Sequence, residues 1–121
     1  MKIFKSEEFA RMANPTPGST YKQDLLKKLN AQSLSGVFGL VAPGDKGGEY
    51  HLHEKGEHII FIVSGEGVEL VEGKEIPIKA GDILFVPAGE KHTTVNNSKR
   101  ELRYLGFFTC TPGKADRVEL K

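Results

Sequence analysis

Four histidines are the residues of this 121-residue chain best suited to chemistry, and three of them fall between positions 51 and 58. His51 and His53 flank Leu52 on a short segment between two turns. In an extended strand alternate side chains project to one face, so an H-x-H pair reaches a common point from adjacent rungs. Two imidazoles sharing a target form a metal-ligand arrangement. The next polar residues able to return to that point are Glu57 and His58, just after the turn EKG, and His92 follows the turn PAGEK. A single histidine is ordinarily a partly exposed polar residue. The joint placement is what counts here: all four stand at strand starts or on one short strand, and none falls in the first 50 residues.

The elements that must position them are mostly strands. From Val37 onward, runs such as VFGLVA, YHLH, HIIFIV, VELV, EIPI, ILFVP, HTTV and ELRYLGFFTC alternate with turns rich in Gly, Asn, Asp and Lys. These are about eight short strands at close, even spacing, which predicts an antiparallel sandwich or small barrel, jelly-roll geometry being one option. IIFIV and LGFF are apolar at successive positions, so both of their faces are expected to be covered, one by the interior and one by another sheet or subunit. Earlier in the chain, residues 2–5 (KIFK) suit a short strand, and Ser6 followed by two glutamates caps one short helix running to Met12. NPTPGST, residues 14–20, reads as loop. Residues 21–35 suit either an amphipathic helix or a strand over Asp24 to Leu29. The closing KADRVELK reads as a solvated tail.

Composition bounds the rest. With 38% hydrophobic and 27% charged residues the chain suits one domain over residues 1–121. Seventeen basic against 16 acidic residues leave no general field for nucleic acid or an anionic membrane. The lone Cys110 excludes an internal disulfide and any CxxC site. No apolar run approaches the ~20 residues needed to cross a bilayer, and the first residues lack a signal-peptide core, so a cytoplasmic protein is expected. Gly and Pro, 14 and 6 residues, supply the punctuation of many short strands.

Residues 81–96, GDILFVPAGEKHTTVN, resemble the second motif of the cupin superfamily, with Gly81, Pro87, Gly89, His92 and Asn96 filling all five fixed places. At ordinary residue frequencies a chance match is on the order of one in ten thousand or rarer. GDKGGEYHLHEKGEHIIFIVSG resembles the first motif less completely: His51, His53 and Gly65 fit, Asp45 stands where a glycine is expected, and His58 occupies the acid's place counted back from Gly65. Glu57 has the right spacing from His53 but lies one residue too far from Gly65. The resemblance spans residues 37–110.

A small single-domain, cupin-2-like barrel is what the resemblance implies: an all-β jelly roll (double-stranded β-helix) with one short N-terminal helix. It also implies a divalent transition metal (Fe, Mn, Ni, Co, Zn or Cu) held by His51, His53, His92 and either His58 or Glu57. His58 is preferred because a one-residue slip would point a side chain to the opposite face. Thr94, sharing parity with His92, and Tyr104 are candidates to line a pocket, while Asn96 is expected to serve turn chemistry. The implied function is a small-molecule metalloenzyme of dioxygenase-like or isomerase/lyase type, with a non-enzymatic ligand- or metal-binding module as the alternative. A homodimer paired sheet to sheet is the expected assembly.

Overall fold

The computed structural model describes residues 3, 5, 20–24, 35–46, 51–53, 56–109 and 117–119, with the backbone alone described at 20–24, 35, 51–53 and 117–119. Ten strands lie in these residues: β1 (Thr20–Asp24), β2 (Ser35–Val41), β3 (His51–His53), β4 (His58–Ser64), β5 (Glu66–Val71), β6 (Lys74–Lys79), β7 (Ile83–Val86), β8 (His92–Val95), β9 (Leu102–Phe108) and β10 (Arg117–Glu119). They form two five-stranded antiparallel sheets, ordered β1-β2-β9-β4-β7 and β10-β3-β8-β5-β6. The expected strands between Val37 and Cys110 correspond to β2 through β9.

Alternation builds the core. His58, Ile60 and Ile62 of β4 are buried while Ile59, Phe61 and Val63 are exposed, so one parity faces the opposing sheet. Ile60 and Ile62 pack with Val41, Val86 and Leu102 of the same sheet and with Ile78 of the other, and Leu84 and Tyr104 close around them. Gly65, the whole link between β4 and β5, shows why this turn admits no larger residue. Its φ is +88°, and a Cβ there would lie 2.5 Å from the Glu101 carbonyl oxygen. Pro77 is tolerated in β6 because that strand is an edge.

Several expectations need correction. Ile3 and Lys5 are not in a strand, the rest of the 2–5 segment and the helix at 6–12 lie outside the described residues, and Thr20 opens β1 rather than closing a loop. β1 ends at Asp24, where a strand had been expected to begin, because residues 20–24 pair with residues 37–41 of β2. The closing segment is not simply a solvated tail. Residues 117–119 add β10 to the outer side of β3, pairing Arg117 with His53 and Glu119 with His51. An otherwise unpaired edge of N–H and C=O groups outweighs the charged composition of that segment.

Among the described residues, the apolar run of β4 is covered on one face only. Ile59 and Phe61 pair across to Phe85 and Ile83 on β7, which are 56% and 68% exposed, and Val63 lies beyond that pairing on the same face. No other sheet of this chain covers that face among the described residues. Beyond β9 in the same sheet, Phe38 and Leu40 of β2 are buried, and the Arg103 guanidinium carbon stands 5.0 Å from the centre of the Phe38 ring.

Candidate metal centre

The strand register gathers the histidines at one end of the barrel. His51 is the pairing partner of His92 across β3 and β8, and His53 stands two positions along the same short strand. His58 opens β4 in the opposing sheet. Its ring and that of His92 face one another edge to face, with centroids 6.2 Å apart and planes at 67°. Both residues are buried, whereas the neighbouring Glu57 is exposed, as the alternation of an extended chain requires. The backbone of Glu57 is clamped by Thr109: its N–H donates to Thr109 Oγ1 at 3.0 Å, and its carbonyl accepts from the Thr109 N–H at 3.1 Å.

Close packing sets the His58 ring. Phe108, its direct partner on β9, contacts it edge to face at 4.6 Å between centroids. Gly106 lies one rung further in, and a Cβ at that position would stand 2.7 Å from His58 Nε2. Glycine within a strand thus marks close packing at Gly106 and also at Gly39, whose face is covered by the Tyr104 ring. Tyr104 packs on the core cluster. It stands four positions from Phe108, about 13 Å along an extended strand.

His92 is held by a residue that sequence reasoning missed. Glu69 Oε2 lies 2.8 Å from His92 Nδ1, and Glu69 Oε1 accepts the Thr94 hydroxyl at 2.6 Å. Register explains the contact, since β5 pairs Glu69 directly with Thr94 and places it diagonal to His92. In VELV an acid between apolar residues reads as the solvent face of a strand. Parity from Gly67, which is buried, carries the opposite message: Gly67 and Glu69 point inward together.

Asn96 combines two roles. It is fully buried; its Nδ2 donates to the carbonyls of Val41 at 2.9 Å and Arg100 at 2.7 Å, and its Oδ1 accepts from the Ser98 N–H and hydroxyl. The expected turn chemistry is present, and it also ties the end of β8 to β2. Its own N–H donates to the carbonyl of the buried Asp45, the residue standing in the place of the first motif's opening glycine.

The donor set suits a transition ion. Imidazole nitrogens bind such ions at about 2.0–2.1 Å, so two rings on one ion have centroids about 4.5–5.2 Å apart as adjacent ligands and at most about 6.5 Å apart as opposite ones; the 6.2 Å between His58 and His92 fits the opposite arrangement. Among the described residues no group of three or more His, Cys, Asp or Glu is close enough to hold an ion, and the side chains of His51 and His53 stand outside that set. Nor does any described helix have the length and apolarity to cross a membrane.

Known proteins share this architecture. Over 63 residues the chain is 43% identical to an oxalate-binding protein of Thermotoga maritima, a match covering 52% of this chain and 51% of that one. Over 66 residues it is 29% identical to an acireductone dioxygenase of Bacillus thuringiensis, covering 50% of this chain and 39% of the other. The chain thus matches about half the length, or less, of these relatives. A double-stranded β-helix protein of Klebsiella pneumoniae superposes over the whole chain and 98% of its own, with a TM-score of 0.79 at 23% identity. A family model for the cupin domain matches residues 37–108. On that match and this fold, the chain belongs to the cupin family, as a cupin-2 type jelly roll.

Proposed function

We propose that this cupin is a metal-dependent, small-molecule enzyme in which His51, His53, His58 and His92 hold one divalent transition ion. The observation that carries the reading is the facing of the buried His58 and His92 from opposite sheets, with His51 in register with His92. A bound ion of this class supplies Lewis-acid polarisation and, when redox-active, dioxygen chemistry. The four side chains would bind and orient it, while Ile60, Phe108 and the rest of the apolar interior would exclude water. Four protein ligands leave positions for a small bidentate oxygen donor, such as a dicarboxylate or an enediol. The acireductone dioxygenase and oxalate-binding relatives support that ligand class.

Element analysis of the purified chain beside three alanine variants tests the site. About one divalent ion per chain is expected, lost in His58→Ala and His92→Ala and kept in Glu57→Ala. An unmodified chain that takes up no divalent ion when loaded would sink the reading, and metal loss in Glu57→Ala alone would move the fourth ligand to Glu57.

The 43% identity to an oxalate-binding protein favours a second reading, in which the same centre binds a dicarboxylate without turnover. Fold alone does not decide between the two. Oxygen uptake or product formation with an enediol or dicarboxylate supports the enzyme; reversible calorimetric binding with the ligand recovered intact supports the binding module.

We also propose a homodimer joined through the exposed face of β4 and β7. Ile59, Phe61, Val63, Ile83 and Phe85 form a contiguous apolar surface there, which water alone covers poorly.

A further inference from the structure

We infer that Glu69 is a positioning residue for the metal centre, supplying from behind His92 the negative charge that a set of four neutral imidazoles lacks. The inference rests on the metal reading given above. Glu69 sits in the middle of β5 with its side chain 4% exposed, inside the barrel. A carboxylate in such a place is costly unless its oxygens are engaged, and here each oxygen is. Oε2 faces His92 Nδ1 at 2.8 Å, and Oε1 accepts the Thr94 hydroxyl at 2.6 Å.

This geometry selects a tautomer. A carboxylate oxygen only accepts, so the imidazole nitrogen facing it carries the proton, and the ring's lone pair is placed on Nε2. That is the form of His92 able to bind an ion through the nitrogen turned away from Glu69. Thr94 anchors the second oxygen, so the carboxylate cannot swing off the ring without breaking that bond. An acid in this position raises the donor strength of its histidine and offsets part of a divalent charge. Glu57, the acid adjacent to His58, is exposed. Among the described residues, the negative charge bonded to His92 thus comes from β5, a strand that carries none of the four histidines.

The test uses the full chain stripped of metal by chelation, with Co(II) as the probe ion, its affinity measured by competition with a chromophoric chelator. Glu69→Gln keeps the size of the side chain, removes its charge and replaces one of its two accepting oxygens by an NH2 donor, so it can accept from Thr94 or from His92 but not from both. It is expected to weaken Co(II) binding about 10–100-fold and to shift the visible absorption of bound Co(II), with the metal-free melting temperature close to that of the unmodified chain. Thr94→Val, which keeps the carboxylate but frees one oxygen, is expected to weaken binding by a smaller factor. A purely structural acid would lower the melting temperature and leave affinity and spectrum alone; unchanged Co(II) binding in both variants overturns the inference. Should Glu69→Gln not fold, Thr94→Val decides: weaker binding supports the role, unmodified affinity overturns it. An unmodified chain that binds no Co(II) or other divalent ion removes the metal reading and this inference together, whereas tight binding indifferent to both substitutions removes this inference alone.

Discussion

His58 and Gly106 meet across neighbouring strands, and the ring occupies space that any side chain at 106 would claim: a Cβ there would come within 2.7 Å of His58 Nε2 and 3.3 Å of Val37 Cγ1. The His58 ring is also held edge to face by Phe108, two residues further along β9. The glycine is therefore part of the site although it carries no functional group.

Gly106→Ala is expected to displace the His58 ring and to cost about 1–3 kcal/mol, the usual range for overpacking an interior. Denaturant titration reads the stability, and element analysis reads the site. Metal content should fall more sharply than stability. A variant with full metal content would mean that the His58 ring holds no ion.

Asn96→Ala should destabilise the chain by about 2–3 kcal/mol, because it strips the amide donors from two carbonyls and an acceptor from Ser98. Urea unfolding followed by circular dichroism gives the value. A change under about 0.5 kcal/mol would show that water replaces the amide without penalty.

Phe85→Glu and Ile83→Glu place charge in the middle of the exposed apolar face of β7. Light scattering coupled to size exclusion should report a dimer for the unmodified chain and a monomer for the double variant. A monomeric mass for the unmodified chain at tens of micromolar would refute pairing through this face.

Glu57→Ala should leave folding intact, because the contacts from Thr109 to residue 57 run through the backbone. Thr109→Val removes the hydroxyl that accepts the Glu57 N–H and should cost about 1 kcal/mol. Equal melting temperatures for the two variants would contradict this division between side chain and backbone.

Much of this architecture was legible before folding. Turn residues and short apolar runs marked β2 to β9 because each strand is bounded by its own Gly, Asn or Asp punctuation, a local signal. The choice of His58 as the inward member of the Glu57–His58 pair followed from counting parity back from Gly65, and burial separates the two residues in that sense. What escaped was set by pairing between distant segments. Glu69 turns inward where its apolar neighbours suggested otherwise, and only the alignment of β5 with β8 brings it to Thr94 and His92. β10 was hidden for the same reason: Arg117, Val118 and Glu119 carry little strand character of their own and acquire it from β3.

The partners of β3 also fix an order of assembly. The strand bearing His51 and His53 meets β8 through residue 92 on one side and β10 through residues 117–119 on the other. Neither neighbour is local: one side of this strand is paired only once residue 92 is in place, and the other only once residues 117–119 are. Closing such long loops is paid for in entropy before any contact rewards it. The proposed four-histidine centre would therefore be completed on a formed barrel, and an ion bound there would lock that barrel rather than nucleate it.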